Sequence, residues 1–577
     1  MKNFSLAIVV AILFNIKVDA QYQNQPLVTE THEQSETHIE VNPLNAAHRI
    51  GGWNDFRNGV KDVGFAITTN DGASWTIDLL ENRTGWPGTP SVDQSYDPVV
   101  TFNRSGIPYY CYILERPGLL GALMVAKTTN NGTSWTHAQV KQNSIWDDKP
   151  WIAINNYPSM SERIYVVWAE ILEDVTTRTY RILSAYSTDG GANFTMSASN
   201  PLDEVIAPIG PIPPPAITAK PLSNFPWTQI EAHVLGAVCA VAPNGDVYAA
   251  WMLANADGSG AIKVRKSTNG GSTFGAVILN RSMTVTFPFS IGRIDIRNFP
   301  TMAIDSNTGK IFIAYTHKET SGDLNTYYTY STNGGTSWSA SAIATETTTG
   351  HQFFPSLSVD PTGRVTLSYY DYRNQPNIDI YLAESLNNGT SFITPNIKVT
   401  SGYTTNNPTN SSYLHHYMGL TSTLGMSYPL WTDYRNANAD IFYANVNRAP
   451  TSNTANATTG NGQRKLARDS NGTYHLIFET NQEVWYARKT TTDAEWNNYQ
   501  RLNGGVGGGN AYPCITASGN TLYVVWQRKN GSTHDVYFAT SQNGGTRRGQ
   551  IMFWPPPRLP LIRYPSFKPA SPPTFHS

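Results

Sequence analysis

An octapeptide that returns six times along the chain constrains the fold more than any other feature of the sequence. Its pattern is Ser or Thr, any residue, Asp or Asn, any residue, Gly, two further residues and then Trp or Phe. The copies begin at Thr68, Thr128, Ser187, Ser267, Ser331 and Ser385. Their spacing of roughly 55 to 80 residues is the self-similarity expected of a repeat architecture.

Each position of this octapeptide has a physical role in a tight turn. The Asp or Asn side chain bonds to the backbone of the turn and tolerates the left-handed region. Gly adopts a positive φ without steric cost, and the aromatic fixes the turn onto a sheet by burying a large apolar area. The pattern therefore predicts a hairpin turn at the same place in every repeat.

A longer pattern of predicted strands surrounds each turn. Near the copy at Ser385, residues 354–360, 365–372 and 379–385 alternate apolar and polar side chains, as strands do. The second strand of each unit ends in Trp or Tyr, namely Trp53, Tyr112, Trp168, Trp251, Tyr315, Tyr370 and Trp431. Four-stranded units repeated radially are propeller blades. The predicted fold is therefore all-β, a β-propeller with seven blades preferred and six as the alternative.

The octapeptide resembles the Asp-box of the sialidase and BNR-repeat families, where the motif is a hairpin turn on β-propeller blades. The resemblance covers most of the chain and implies a propeller, with the six blades of sialidases as its own expectation. It implies less about activity, because the Asp-box is a structural turn that also occurs in propellers with other functions.

Composition excludes several classes of function. The formal net charge is -1 and only 14% of residues are charged, so nucleic acid is not an expected partner. Cys111, Cys239 and Cys514 lie far apart and have neither disulfide-framework nor zinc-site spacing. No metal or other cofactor is expected, and neither a nucleophile elbow nor a phosphate-binding glycine loop is present in the sequence.

Residues 1–20 have the composition of a secretory signal peptide, with Lys2 ahead of an apolar stretch. The mature protein is therefore expected to be secreted or at the cell surface, without a membrane span. The remaining predicted segments are a leader (21–36), the Asp-box propeller (37–447), a linker (448–462), a partial second BNR-like propeller (463–547) and a disordered or aberrant tail (548–577).

The functional face of the predicted propeller is the face opposite the Asp-box turns, because long connections there are typical of binding sites. The start of each first strand would point at the mouth of the central channel. Reading those starts gives Asp97, Asp147, Asp148, Lys149, Glu231, His233, Arg297, His351, Gln352, His415, His416 and Tyr417.

Three copies of a Trp or Tyr-x-Asp-x-Arg pattern lie on the same predicted face and contain Arg57, Arg373 and Arg435. They fall on neighbouring units of a seven-fold ring. One interpretation is that each Asp pairs with its own Arg as a structural feature of the repeat. The other is a cationic pocket for a substrate carboxylate, since guanidinium groups match carboxylate oxygens.

The sialidase resemblance implies three substrate-binding arginines, a Tyr nucleophile activated by Glu, and an Asp acid/base. Residue types that match on the expected face are Arg57, Arg297, Arg373 or Arg435 for substrate binding, and Asp148, Glu231 and Tyr417 for catalysis. The family's Arg-Ile-Pro signature is absent, and His48-Arg49-Ile50-Gly51 is the nearest string. These assignments therefore come from the predicted topology.

Two functions remain open from the sequence. One is an exported sialidase-like glycoside hydrolase that acts on exposed glycans. The family resemblance implies that these glycans are sialylated. The other is a non-catalytic propeller that binds glycans or glycoproteins at a cell surface. The ionisable residues at the predicted mouth favour the first function, whereas the dense repeats and the absent signature favour the second.

Overall fold

The computed structural model describes residues 22–80, 94–115, 121–144, 146–174, 176–208, 231–286, 290–291, 294–400, 404–405, 416–436, 438–447, 464–480, 483–491, 496–502, 509–530 and 533–542. These residues contain strands and turns and no helix, which agrees with the all-β prediction. The predicted signal peptide, linker and tail lie outside them. The chain divides into two compact units between Thr451 and Ser452.

The described residues of the first unit form seven antiparallel sheets of four or five strands and one two-stranded ribbon. Strand β1 (Asn24–Val28) comes first in the chain but belongs to the seventh sheet. Sheet one consists of β2 (Gln34–Asn42), β3 (Asn45–Asp55), β4 (Asp62–Thr68) and β5 (Thr76–Leu79). Sheet two consists of β6 (Gln94–Phe102), β7 (Pro108–Glu115), β8 (Gly121–Lys127) and β9 (Thr136–Ser144). Sheet three consists of β10 (Trp146–Ile154), β11 (Ile164–Glu173), β12 (Thr177–Ser187), β13 (Thr195–Met196) and β14 (Asp203–Pro208).

The remaining sheets of the first unit repeat this order. Sheet four consists of β15 (His233–Val241), β16 (Val247–Ala254), β17 (Ser259–Ser267) and β18 (Val277–Thr284). A two-stranded ribbon follows, made of β19 (Ser290–Ile291) and β20 (Ile294–Asp295). Sheet five consists of β21 (Thr301–Ile304), β22 (Ile311–Lys318), β23 (Leu324–Ser331) and β24 (Ala342–Ile343). Sheets six and seven are β25 (Gln352–Val359), β26 (Val365–Asp371), β27 (Asn377–Ser385), β28 (Ile397–Lys398) and β29 (Thr404–Thr405), then β30 (Gly419–Thr423), β31 (Met426–Asp433), β32 (Asp440–Ala444) and β33 (Val446–Asn447). The count of seven agrees with the repeat units read from the sequence.

The seventh sheet takes its fourth strand from the start of the chain. β1 pairs antiparallel with β32, with Asn24 opposite Ala444 and Val28 opposite Ile441. Residues 24–28 are therefore part of a sheet, whereas the sequence assigned them to a leader. The seventh repeat has no Asp-box, and β1 occupies the place that a strand after such a turn would have taken.

The seven sheets contact one another in a cycle through their first strands. The contacts run from β2 to β6, β10, β15, β21, β25 and β30, and β30 contacts β2. Apolar side chains fill the space between neighbouring sheets; for example, Ile50 and Phe65 pack with Val100 and Tyr110 of the next sheet. Burial of such apolar surface is the main favourable contribution to folding.

The six Asp-box turns connect the third and fourth strands of the first six sheets, as predicted. In the copy at Ser187, the hydroxyl accepts from the backbone N–H of Gly191 at 3.0 Å and donates to Asp189 at 2.8 Å. Gly190 and Gly191 have φ of 70° and 81°, the region that glycine adopts without strain. The aromatics pack between sheets, as Trp135 does with Phe65 of the preceding sheet.

The second unit contains two sheets with their own apolar core, which includes Ile477, Tyr486, Ile515 and Trp526. The strands are β34 (Leu466–Arg468), β35 (Tyr474–Thr480), β36 (Glu483–Lys489) and β37 (Asn497–Arg501), followed by β38 (Asn510–Ser518), β39 (Thr521–Asn530) and β40 (Thr533–Ser541). Over the described residues of both units, the structure contains no helix of the length and apolarity needed to cross a bilayer.

Candidate functional site

The first strands of several sheets begin with the same β-bulge. The pairing register shifts there, and the residue with positive φ is Glu36 (54°), Asp97 (57°), Lys149 (48°), Gly236 (66°) or Phe354 (50°). A bulge bends the strand and re-aims a side chain, and a positive φ at a residue other than Gly or Asn costs free energy. We call the face where the first strands begin and the second strands end the mouth of the first unit.

Three of these bulge residues, from three successive sheets, meet in one ion-paired cluster. The Lys149 Nζ lies 2.8 Å from Glu36 Oε1 and 3.0 Å from Asp97 Oδ1, and 3.6 Å from Asp148 Oδ1. Glu36 also accepts a hydrogen bond from Asn54 at 2.9 Å through its other oxygen. Glu36 and Asp97 are buried, whereas Asp148 is the carboxylate of the cluster that reaches solvent.

Burial and the neighbouring Glu36 charge raise the pKa of Asp97 well above its usual range, although Lys149 opposes the shift. Burial would lower the pKa of Lys149, but Asp97, Glu36 and Asp148 together raise it above its usual value. Lys149 is therefore a cation at neutral pH, and burial beside Glu36 makes the Asp97 carboxyl harder to ionise than an exposed Asp.

His416 connects this cluster to a second one across the mouth. Its Nδ1 lies 3.3 Å from Glu36 Oε1, and its Nε2 lies 3.6 Å from Asp295 Oδ2. Asp295 also pairs with Arg297, with 2.7 Å between Nη2 and Oδ2. Burial alone would raise the pKa of Asp295, but hydrogen bonds and charges from His416 and Arg297 lower it to about 2. Two carboxyl groups of one polar network thus have opposite pKa shifts.

Tyr417 lies beside the Lys149 cluster. Its hydroxyl donates to the backbone carbonyl of Pro98 at 3.2 Å, and its ring lies 6.4 Å from the ring of Trp151 and 5.9 Å from Lys149 Nζ. Burial first, and then the charges of Glu36 and Asp97, raise the pKa of Tyr417 well above 10. A nucleophilic Tyr417 remains a prediction, and it requires the loss of a proton that this environment retains.

Glu231 lies near the start of the fourth sheet and pairs with Arg178. The distance from Arg178 Nη1 to Glu231 Oε2 is 2.8 Å, and Arg178 Nη2 lies 2.8 Å from Glu173. Burial raises the pKa of Glu231. Glu231 thus contacts Arg178 and the Tyr417 hydroxyl contacts the Pro98 carbonyl, and the Tyr–Glu pair that the family resemblance implies stays a prediction.

The three Trp or Tyr-x-Asp-x-Arg copies are local ion pairs. Arg57, Arg373 and Arg435 contact the aspartate two residues earlier at 2.7, 2.6 and 2.6 Å. In the first and third copies this aspartate also accepts a hydrogen bond from the indole of Trp53 or Trp431 at 2.8 Å. These contacts match the interpretation in which each Asp pairs with its own Arg. The substrate-binding roles of the three arginines and of Arg297 remain predictions.

Three residues of the cluster were missed or left without a role at the sequence level. Glu36 fell inside the predicted leader, and Asp97 and Lys149 were named only as strand starts. The signal that could have found them is positional: Asp97 and Lys149 each precede a Pro at a strand start, and Glu36 occupies the equivalent place before Thr37. Among the described residues, no group of three or more His, Cys, Asp or Glu is placed to hold a metal ion.

No protein-family model matches this chain, and no curated protein matches it either. Solved structures do show similarity. A Trypanosoma rangeli sialidase in complex with sialic acid is 12% identical, with 91% of this chain and 87% of that chain covered and a TM-score of 0.35. An α-L-arabinofuranosidase of Fusarium graminearum is 10% identical, with 62% and 95% covered and a TM-score of 0.36. An ulvan lyase is 9% identical, with 72% and 94% covered and a TM-score of 0.41.

Proposed function

We propose that the seven sheets form a seven-bladed β-propeller whose mouth binds exposed glycans and hydrolyses a glycosidic bond in them. The cycle of contacts between first strands supports the propeller, because it places those strands around a common axis. The seventh sheet, completed by β1, supports closure of the ring.

The observation that carries the hydrolase proposal is the opposite pKa shift of Asp97 and Asp295 within one network. Glycoside hydrolysis uses one protonated carboxyl group to assist the leaving oxygen and one ionised carboxylate to stabilise or attack the sugar. Pairs of titratable groups whose surroundings separate their pKa values identify such acid and base roles.

We assign the general acid/base role to Asp148. It is the solvent-facing carboxylate of the Lys149 cluster, so it is the one that a substrate reaches. Glu36 and Asp97 are more deeply buried members of the same cluster. Tyr417 and Glu231 line the same mouth, and their catalytic roles are part of this proposal.

The narrower proposal of a secreted sialidase-like enzyme rests on the Asp-box resemblance and on the signal-like residues 1–20. It would use Arg57, Arg297, Arg373 and Arg435 for the substrate carboxylate. Each of these arginines already contacts a carboxylate of the protein, so a sialoside must compete with that contact.

A second candidate function is a non-catalytic glycan- or protein-binding propeller. The near-complete burial of Glu36 and Asp97 favours it, because a proton held below the surface is not in reach of a bound glycan. In that case the ion-paired cluster would fix the shape of the mouth and would transfer no proton.

Turnover of fluorogenic glycosides by the full chain tests the hydrolase proposal. The panel contains sialosides and neutral hexosides and pentosides, and the variants are Asp148→Asn and Tyr417→Phe. We expect Asp148→Asn to lower kcat by at least about 100-fold, the scale of general acid–base catalysis, with binding retained. Tyr417→Phe abolishes turnover if the hydroxyl is the nucleophile and leaves at least half of it if the side chain only packs over Lys149.

The matched control is Asp257→Asn, which removes a carboxylate from an exposed turn between β16 and β17 on the same face. It should leave turnover unchanged. No turnover of any panel member, together with measurable glycan binding, would favour the non-catalytic function instead. Equal losses in Asp148→Asn and Asp257→Asn would contradict the assignment of Asp148.

A further inference from the structure

We propose that the mouth binds uncharged saccharides through their hydroxyl groups and discriminates against acidic ones. This inference rests on the proposed function for the location of the sugar site. It adds the substrate class, and it stands against the narrower sialidase-like proposal. It is carried by the depth at which charged groups lie in three ion-paired clusters, where an exposed carboxylate covers a more buried cation.

In three ion-paired clusters at the mouth, at least one carboxylate is more exposed than the cation it contacts, although Glu36 and Asp97 are more buried than Lys149. The exposed fractions of the side chains are 10% for Lys149 against 20% for Asp148, 2% for Arg178 against 27% for Glu173 and 20% for Glu231, and 5% for Arg297 against 28% for Asp295. We call Asp148, Glu173, Glu231 and Asp295 the carboxylate rim. At these three clusters, a ligand that approaches the mouth meets the rim before it meets Lys149, Arg178 or Arg297.

The buried cations are already occupied by carboxylates of the protein. Lys149 contacts three of them, and Arg178 contacts two. Arg297 directs both its Nε and its Nη2 at Asp295, at 2.8 and 2.7 Å. An acidic ligand would therefore have to break an existing ion pair and remain close to the displaced carboxylate, and like charges at such distances repel.

The more exposed arginines of the Asp-x-Arg copies do not give the mouth free positive charge, because carboxylates or amides of the protein already contact them. Arg57 has Glu30 at 3.7 Å in addition to its buried aspartate, and Arg373 has Glu346 at 2.5 Å. Each of these two clusters therefore contains two carboxylates and one cation. Arg435 also donates to the side-chain oxygen of Asn24 at 3.0 Å, so part of its guanidinium is used inside the fold.

The rim matches the hydrogen-bonding capacity of a neutral sugar. An ionised carboxylate only accepts hydrogen bonds, whereas a sugar hydroxyl can donate one. Trp151 and Tyr417 are partly exposed beside the rim and provide apolar ring surface, as ligand sites with a few directed polar groups commonly do. A sugar carboxylate has no proton to donate at neutral pH and would add a like charge.

Calorimetric titration with matched oligosaccharide pairs tests the inference. The pairs are lactose with 3′-sialyllactose, which carries an added sialic acid, and β-1,4-mannotetraose with β-1,4-mannuronotetraose, which has a carboxylate on each of its four sugars. We expect the neutral member of a bound pair to bind at least tenfold more tightly at low ionic strength. Raising the salt concentration should narrow the ratio of the two affinities, because screening weakens repulsion from the rim and so strengthens binding of the acidic member only.

The double variant Glu231→Gln, Asp295→Asn should shift the ratio of the two affinities in a pair at least fivefold toward the acidic member. The control Asp257→Asn should leave this affinity ratio unchanged. Equal or tighter binding of the acidic members by the wild-type chain would overturn the inference and leave the proposed function intact. If the chain binds none of the four oligosaccharides and none of the fluorogenic glycosides of the turnover panel, the proposed function is overturned, and the inference with it.

Discussion

At the scale of single residues, one buried aspartate organises each Asp-x-Arg loop of the mouth. Asp55 accepts hydrogen bonds from the indole of Trp53 at 2.8 Å, from the backbone N–H of Arg57 at 3.0 Å and from its guanidinium. Its side chain is fully buried, whereas that of Arg57 is partly exposed. The aspartate therefore joins the end of the second strand to the loop that follows.

Asp55→Ala should lower the free energy of unfolding by about 2 to 4 kcal/mol. The loss is large because the substitution leaves a buried indole N–H and a partly buried guanidinium without their acceptor, although solvent reaches part of Arg57. Urea denaturation followed by tryptophan fluorescence measures it. Asp78→Ala, at an exposed position of the same sheet, is the control and should change stability by less than about 0.5 kcal/mol. A loss below about 1 kcal/mol for Asp55→Ala would contradict the structural role.

At the scale of strands and turns, the Asp-boxes also tie neighbouring sheets together. The carbonyl of Gly190, in the box of the third sheet, accepts hydrogen bonds from Lys127 at 2.7 Å and Tyr109 at 3.1 Å, both of the second sheet. Arg163 of the third sheet donates in the same way to Gly270 at 2.9 Å. The seventh sheet has no box of its own, and β1 completes it instead.

Val28→Asp should destabilise the first unit by about 2 to 4 kcal/mol. Val28 is buried in β1 among Ile39, Tyr428 and Ile441, and a charge there would lose its hydration without a partner. Pro26→Asp, at an exposed position of the same strand, is the control. Thermal unfolding of both variants measures the difference. Equal melting temperatures would show that β1 is not needed to complete the seventh sheet.

At the scale of the whole molecule, the two units have separate apolar cores. The core of the second unit draws only on residues between Ala467 and Ala539, and the clusters of the first unit end at Val446. Units with separate cores can unfold independently. The site is also confined to the first unit, since all its residues lie between Glu30 and Arg435.

A chain that ends at Thr451 should therefore keep the melting temperature of the first unit within about 2 °C and keep its ligand selectivity. Differential scanning calorimetry of the shortened and full chains measures the first property, and the matched oligosaccharide pairs measure the second. The full chain should show an additional transition that the shortened chain lacks. Aggregation of the shortened chain, or a large drop in its melting temperature, would contradict the separation of the units.

Local patterns in the sequence were sufficient to predict the repeat. The Asp-box turns, the four-strand order and the seven units were all readable, because turn chemistry and period-two alternation depend on residues a few positions apart. The predicted boundary at residue 37 leaves β1 outside the propeller, because no local pattern shows that a short strand will pair with one roughly 400 residues later, as Asn24 does with Ala444.

The sequence by itself placed Asp148, Glu231 and Tyr417 at or just before the starts of first strands, and therefore at the mouth, although it missed Glu36. Only the tertiary structure decided their partners. Closing the cycle brings Glu36, Asp97 and Lys149 from three sheets to one point, directs Glu231 to Arg178 and keeps Arg373 on Asp371. The physical reason is that buried charges need partners, and the nearest available partner across a ring is set by packing between sheets and not by distance along the chain.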